Sequence, residues 1–224
     1  MRKRNAFKEL GTKYNSHMDT GLIGFATRYC HRQLEKFKRE KKYSKVLEIG
    51  AGTLPHIDYL KHDYDEYFIA ETSSTAVEFY KEMRNIKVYS YDGVNLPFED
   101  NFFDRIIISQ CLEHINEPEK FLFEMMNKLK KDGVLSISLP TDPGLLWRLG
   151  RLFIKYFIVR RTYNVSKEEY EYINATEHIN SIFTLINLIR YNFKNQIEEY
   201  YLPFRIKLLD INLFYNVHIT KIGD

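Results

Sequence analysis

The feature that most constrains this chain is a repeated alternation between short apolar runs and amphipathic segments. The segments between the runs carry apolar residues at helical spacing. The predicted strands are Val46–Ile49, Tyr67–Ala70, Val88–Tyr91, Arg105–Ser109 and Val134–Leu139. Alternation at this spacing builds βαβ units, and therefore a parallel sheet with helices on both faces. A ligand of such a sheet binds beyond the carboxyl ends of the strands.

The C-terminal part of the chain has a different pattern. After a helix predicted over about residues 181–191, apolar and polar residues alternate over 211–219, which is typical of an antiparallel strand. Residues 197–202 supply the strand with which it would pair. We therefore predict a Rossmann-like α/β fold: a seven-stranded, mostly parallel sheet with helices on both faces and an antiparallel terminal strand.

Two segments frame this sheet. Residues 1–44 are predicted to form a helical N-terminal cap, and residues 45–224 the ligand-binding domain. A lid is predicted to be inserted in that domain over about residues 141–177. It contains a basic, aromatic helix over about 144–158, followed by a polar stretch to Glu177.

Charge is unevenly distributed, although the net charge is only +3. Residues 1–45 carry 13 basic and 4 acidic residues, and residues 141–161 carry 5 and 1. If both segments lie over one cleft, they can attract an anionic partner. Solvated basic helix faces are the alternative interpretation, above all for residues 1–45.

The composition of the chain indicates the cellular compartment in which we expect it. Charges interrupt every apolar stretch before the roughly 18 residues that a membrane span requires. The basic N-terminus has no apolar run behind it, so we do not expect a secretory signal. Cys30 and Cys111 have no metal-like spacing and point to free thiols in a reducing compartment. We therefore expect a cytoplasmic protein.

Glycines and carboxylates follow the first three predicted strands. Gly50-Ala51-Gly52 closes the first strand, where glycine lets the backbone turn tightly and approach a flat ligand. Glu71 ends the second strand, 19 residues after Gly52, at a position from which a carboxylate can accept both hydroxyls of a ribose. A nicotinamide dinucleotide site would need a third glycine where Pro55 stands.

These positions, with two later loops, resemble the class I S-adenosylmethionine-dependent methyltransferases, and in particular the small-molecule, methyltransferase-11-like members. The first strand ends in the acidic-x-Gly-x-Gly motif of that family, from Glu48 to Gly52. Leu96-Pro97-Phe98 and the acidic, aromatic approach to strand four are similar to its next motif. Leu112-Glu113-His114 is similar to the loop after that strand.

The resemblance implies S-adenosylmethionine as the cofactor and S-adenosylhomocysteine as the product. Glu48 and the backbone near Gly50 would hold the methionine part, Asp92 the adenine amino group, and carbonyls near Ser109 and Gln110 the ammonium group. The full predicted cofactor set is Glu48, Gly50, Ala51, Gly52, Glu71, Thr72, Asp92, Gly93, Ser109 and Gln110.

The methyl acceptor is narrowed by exclusion. Enzymes that methylate DNA amino groups carry an Asn/Asp-Pro-Pro-aromatic loop after strand four, and cytosine C5 enzymes need Pro-Cys. Here Gln110 precedes Cys111, so we expect no nucleic-acid substrate. We find no cluster of Asp and Asn ligands for metal-dependent catechol chemistry, and predict no metal. A small molecule, methylated by direct displacement, is the default acceptor.

Histidines are the candidate general bases for a hydroxyl acceptor. His178 precedes the helix at 181 and is our first choice, and His114 follows strand four. For each of them, helix capping or packing is the alternative role. Tyr14 and His17 in the N-terminal cap are candidate acceptor contacts.

The predicted lid helix has two stripes. Its leucines are expected to pack down, while Arg148, Arg151 and Lys155 face the acceptor. We favour such a cleft, with Arg148 and Arg151 binding an anionic acceptor such as a phosphate- or nucleotide-linked sugar. Peripheral membrane contact through 144–158 is the alternative. A lipid-linked glycan intermediate at a membrane surface would satisfy both interpretations.

Two other classes of function remain open at this point. The chain could be an NAD-type dinucleotide oxidoreductase, or a catalytically silent partner with a methyltransferase fold. The set of glycines and carboxylates argues against lost cofactor binding. The pattern leaves the oligomeric state, the acceptor and the methylated atom open.

Overall fold

The computed structural model describes residues 21–37, 42–52, 54–81, 83, 86–93, 95–163 and 166–222. The strands are β1 (Lys42–Ile49), β2 (Asp63–Glu71), β3 (Ile86–Ser90), β4 (Phe103–Ser109), β5 (Leu129–Pro140), β6 (Ile197–Leu202) and β7 (Phe214–Thr220). The α-helices are α1 (Gly21–Leu34), α2 (Ser74–Lys81), α3 (Pro118–Lys128), α4 (Leu145–Phe153), α5 (Lys167–Glu177) and α6 (Ile182–Asn192). Shorter helical segments are the 3₁₀ turns His56–Tyr59, Leu112–His114 and Leu209–Ile211 and the π-helical Ile154–Tyr163. Among the described residues, no helix combines the length and the apolar character needed to cross a membrane.

All seven strands form one sheet in the order β3-β2-β1-β4-β5-β7-β6. β1 pairs in parallel with β2 and β4, whereas β7 lies antiparallel between β5 and β6. The predicted seven-stranded, mostly parallel sheet with an antiparallel terminal strand is confirmed. The strand order reverses between β1 and β4, and this is where open α/β sheets bind their ligands.

Both faces of the sheet are covered, because successive side chains of a strand point to opposite faces. Leu47 and Ile49 pack in the cluster that includes residues of α3 and α6. Val46 and Ile107 pack in the other cluster, with Leu34 of α1 and Tyr80 of α2. Burial on both faces explains why the central strands are continuously apolar in sequence.

The predicted start of the fifth strand is wrong. That strand was expected to begin at Val134, but α3 ends at Lys128 and β5 begins at Leu129. Leu129 already pairs with Phe103 of β4, and the Asp132 backbone donates to the Lys221 carbonyl, so residues 129–133 belong to the strand.

The polar stretch expected before Glu177 contains helix α5. Ser166 and Glu169 form a reciprocal capping box at its start. Tyr170 and Ile173 are buried against Val159 of the π-helical segment. Only two apolar residues of α5 are buried, so the sequence shows no strong helical stripe here.

The predicted N-terminal cap is described only in part. Residues 1–20 lie outside the described residues, and the boundary at residue 44 stays a prediction. Helix α1 contributes Cys30 and Leu34 to the core. Just beyond it, Glu35 is buried with its Oε1 2.7 Å from Nη1 of Arg105 on β4 and 2.9 Å from Nε2 of His56. This ion pair joins the end of α1 to the centre of the sheet.

Candidate functional site

The loops that carry the predicted cofactor residues meet at the carboxyl edge of the sheet. Gly50 follows β1, Glu71 ends β2, Asp92 follows β3 and Ser109 ends β4. The loops after β1 and β4 are in contact, because a Cβ on Gly50 would stand 2.8 Å from Sγ of Cys111. The fold therefore gathers these residues at its topological switch point.

The two motif glycines adopt left-handed backbone conformations, with φ of +67° at Gly50 and +58° at Gly52. Side chains are disfavoured in this region. At Gly50 the nearby Cys111 side chain also leaves no room. At Gly52 a Cβ would meet nothing within 4 Å, so the backbone borders open space there. Ala51, between them, is buried.

Glu71 is buried and tied to the glycine loop. Its Oε1 accepts a hydrogen bond of 2.7 Å from the backbone N–H of Gly52. Burial raises the pKa of Glu71, and hydrogen bonds from the backbone of Gly52, Thr72 and Ser73 oppose that rise. A carboxylate beside the open space at Gly52 is suited to accept hydrogen bonds from hydroxyl groups of a ligand.

Asp92 is exposed, and the Asn95 backbone donates to its Oδ1 over 2.8 Å. Gly93 has φ of +86°, and a Cβ there would lie 3.6 Å from Cγ2 of Thr72. The loops after β2 and β3 therefore lie side by side. Glu71, Thr72, Asp92 and Gly93 form one edge of the site.

Glu48 lies inside the protein, directly behind the glycine loop. Its Oε1 accepts from the backbone N–H of His56 over 2.7 Å, and its Oε2 from the Tyr67 hydroxyl over 2.6 Å. Burial raises the pKa of Glu48 to about 7, against these two hydrogen bonds. Both carboxylate oxygens already have protein donors, so this side chain orders the loop. Its predicted contact with the methionine part of the cofactor stays a prediction.

Ser109 and Gln110 close the site from the β4 side. Gln110 has φ of +53°, and its backbone N–H donates to the Ser138 carbonyl over 2.9 Å. Its side chain lies 3.5 Å from the Ser138 hydroxyl. The buried Ser109 hydroxyl has no hydrogen-bond partner among the described residues.

The two candidate bases lie next to each other. The His114 and His178 rings meet edge to face, with centroids 5.1 Å apart. His178 Nδ1 lies 2.8 Å from Oδ2 of Asp142, which follows β5, and His114 Nδ1 lies 2.6 Å from the Glu177 carbonyl. Asp142 was not among the site residues predicted from the sequence. The available signal was an acidic residue just after a predicted strand.

Backbone hydrogen bonds explain why residues so far apart in sequence converge. The Asn180 N–H donates to the carbonyl of Glu113, and the Ile182 N–H donates to that of Asp142. The segment before α6 is thereby fastened to the loops after β4 and β5. Burial raises the pKa of the Glu113 carboxyl group, and the nearby His114 and His178 lower it.

The predicted acceptor contacts are only partly brought together. Tyr14 and His17 lie outside the described residues. Arg151 pairs with Asp142, with Nη2 2.7 Å from Oδ2, so it belongs to the His178 cluster. Arg148 is exposed on α4.

Comparisons with known proteins identify the family of the chain. The family described as "Methyltransferase domain" matches residues 47–137. The demethylmenaquinone methyltransferase of Staphylococcus aureus strain Newman is 33% identical over 183 residues, covering 76% of this chain and 75% of that protein. The corresponding Staphylococcus carnosus enzyme is 29% identical over 188 residues, covering 76% and 75%.

Solved structures share the fold. A methyltransferase from Thermotoga maritima, a possible histamine N-methyltransferase, has a TM-score of 0.65 at 20% identity, covering 96% of this chain and 97% of that one. The plantazolicin methyltransferase BpumL, solved with a monoazolic desmethylPZN analogue and S-adenosylhomocysteine, has a TM-score of 0.62 at 16% identity, covering 98% and 99%. The sheet order, the glycine loop and these relatives show that the chain belongs to the class I S-adenosylmethionine-dependent methyltransferases.

Proposed function

We propose that this methyltransferase holds its cofactor between the Gly50–Gly52 loop, Glu71 and Asp92. The open space at Gly52 and the buried carboxylate beside it fit a nucleoside with free hydroxyl groups. Asp92 Oδ2, 3.3 Å from the Asn95 amide nitrogen, keeps acceptor capacity for an adenine amino group. When bound, S-adenosylmethionine supplies an electrophilic methyl group. The protein residues bind, align and exclude water.

The measurement is S-adenosylhomocysteine affinity by calorimetry. Glu71→Gln keeps an acceptor for Gly52 but removes the charge, and Asp92→Ala removes the acceptor. We expect each change to weaken binding by about 1 to 3 kcal/mol, roughly 5- to 150-fold. Glu66→Gln is the matched control, because Glu66 lies on the same strand and pairs with Lys87. Affinity within twofold of wild type in both site variants would contradict the assignment.

We propose further that His178 and His114 act on the acceptor. With Nδ1 of His178 donating to Asp142, its Nε2 is left with a lone pair, and the same holds for His114 beside the Glu177 carbonyl. We expect His178→Ala to lower turnover by roughly 10²- to 10⁴-fold, while S-adenosylhomocysteine affinity stays unchanged. Turnover within threefold of wild type would leave catalysis to alignment alone.

Helix α4 is the element that we expect to contact the acceptor. The leucines expected to pack down are instead exposed: Leu145, Leu149 and Leu152 are each about half accessible. The helix is held by Trp147, which meets Phe214 with ring centroids 5.9 Å apart. Trp147 therefore takes the inward position that the sequence analysis gave to the leucines.

Ion pairs occupy most of the basic stripe that runs along α4 and into the π-helical segment after it. Arg151 pairs with Asp142, and Lys155 pairs with Glu171 of α5. Arg148 is the exposed member of the stripe, on the same helix as the leucines. An apolar face with a cation beside it suits an amphiphilic, anionic surface better than a purely polar cleft.

We propose that the acceptor is a small anionic molecule linked to lipid and presented at a membrane surface. The exposed leucines with Arg148 beside them are the observation that supports this proposal. The head group of this lipid would be the phosphate- or nucleotide-linked sugar expected from the sequence. A quinone is the second candidate, because the relatives that match three quarters of the chain are named for demethylmenaquinone.

Sedimentation with vesicles tests the membrane arm. Wild type should bind vesicles of phosphatidylglycerol and phosphatidylcholine, and Leu149→Gln with Leu152→Gln should abolish binding. Phe183→Gln is the control, since Phe183 is an exposed apolar residue on α6. Arg148→Gln should weaken binding most at low ionic strength, because exposed charge is screened over about 8 Å at physiological salt. If the wild-type protein does not bind vesicles but methylates a water-soluble acceptor, the proposal is contradicted.

A further inference from the structure

The two candidate bases also belong to a cluster of possible metal ligands. One potential ligand atom each from Glu113, His114 and His178 lies within 4.8 Å of the other two. Nε2 of His114 is 3.8 Å from Oε1 of Glu113.

Glu113 has an unexplained buried carboxyl group. Its side chain is only 3% accessible, and Oε2 has no hydrogen-bond partner among the described residues. A buried carboxylate oxygen without a donor is costly, and an ion bound in the functional state is one of the few reasons for keeping it.

Both histidines are arranged as metal ligands commonly are. Nδ1 of His178 is bound to the Asp142 carboxylate, and Nδ1 of His114 to the Glu177 carbonyl. A carboxylate or carbonyl on one ring nitrogen fixes the tautomer, so that the other nitrogen presents its lone pair. Nε2 is therefore the free ligand atom in each ring.

We propose that Glu113, His114 and His178 bind a divalent metal ion of borderline softness, such as Zn²⁺ or Co²⁺. Two imidazoles and one carboxylate suit such ions, whereas Mg²⁺ prefers an all-oxygen set. Ligand bonds of about 2.1 Å require the three groups to close by roughly an ångström, which the partly exposed His114 can supply by ring rotation. No metal was predicted from the sequence, because clustered Asp and Asn were the expected ligands.

Three protein ligands leave coordination positions open on the side of the acceptor. An acceptor hydroxyl bound there would lose its proton more readily, and its oxygen would be held in place. The two histidines would then act on the acceptor through the ion rather than as free bases. This role in catalysis rests on the proposed function of His178 and His114, whereas metal binding itself can be measured without an acceptor.

The test uses the full chain, freed of any affinity tag and treated with EDTA. Zn²⁺ is titrated by calorimetry, and Co²⁺ is followed by its visible absorption. We expect one ion per chain, with affinity reduced at least tenfold in Glu113→Gln and in His178→Ala. Asp142→Asn should weaken binding by about 10- to 100-fold, because it replaces the carboxylate that holds the His178 ring by a neutral amide.

Glu117→Gln is the matched control, an exposed carboxylate four residues further along the same loop. S-adenosylhomocysteine affinity should be unchanged in every variant, which shows that each one is folded and that the cofactor assignment stands independently. Failure of wild type to bind Zn²⁺ below millimolar concentration would overturn the proposal. Binding that persists in both Glu113→Gln and His178→Ala would overturn it as well.

Discussion

Among single residues, Gly52 and Gly21 share a backbone conformation but lie in different parts of the fold. Their φ values are +58° and +59°, and a Cβ on either would meet nothing within 4 Å. A side chain in this region costs about 1 to 3 kcal/mol at either position. Only Gly52 borders the proposed cofactor space.

We therefore expect Gly52→Ala and Gly21→Ala to lower the free energy of unfolding by similar amounts. Only Gly52→Ala should also reduce S-adenosylhomocysteine affinity, by tenfold or more. Urea unfolding and calorimetry on the two variants measure these quantities. Equal affinities in the two variants would show that the cofactor does not approach Gly52.

Glu48 makes a prediction about pH. Its pKa is raised from 4.5 to about 7 by burial, so the folded state holds a proton more tightly than the unfolded state between these values. Its favourable contribution is complete below pH 4.5 and is lost as the pH rises through 7. Each unit of pKa difference is worth about 1.4 kcal/mol, which gives about 3 kcal/mol here.

Glu48→Gln removes this titration. The difference in unfolding free energy, wild type minus Glu48→Gln, should therefore fall by about 3 kcal/mol between pH 4.5 and pH 8 in the absence of cofactor. Urea denaturation at a series of pH values provides the measurement. A difference that stays constant or rises with pH would contradict the assigned direction.

At the scale of elements, Glu35 fastens α1 to the sheet. Removing one member of a buried ion pair leaves the other uncompensated, so Glu35→Ala should cost about 3 to 5 kcal/mol of stability. Glu78→Ala breaks the exposed pair with Lys81 and should cost no more than about 0.5 kcal/mol. Denaturant unfolding of both variants tests the contrast, and similar losses would show that the Glu35–Arg105 pair does not anchor α1.

Elements were identified best where tertiary packing agrees with local pattern. β1 and β4 were identified from continuous apolar runs, because both their faces are buried. Helix α5 was missed, because a capping box and two buried residues hold it against the π-helical segment. The inward face of α4 was assigned wrongly, because leucines and a tryptophan compete for it and only the packing against Phe214 decides.

At the scale of the whole molecule, cofactor binding should stabilise the fold by mass action. S-Adenosylhomocysteine at 100 times its dissociation constant should add about 2.7 kcal/mol to the unfolding free energy. For a chain of this size that corresponds to a rise of roughly 5 to 10 °C in the melting temperature. NAD should produce no rise, and differential scanning fluorimetry with the two ligands distinguishes them. A rise in melting temperature with NAD but not with S-adenosylhomocysteine would contradict the assignment of the cofactor.

Local pattern is sufficient to predict the layered α/β fold, the glycine loop and the carboxylates at the strand ends. Each of these depends either on the period of apolar residues or on glycine at a sharp turn. By contrast, the buried position of Glu48, the contact between Asp142 and His178, and the approach of Glu113 to two histidines follow only from the tertiary structure. Such contacts join residues up to 65 positions apart, from Glu113 to His178, and no short-range pattern encodes which loops a folded sheet brings together.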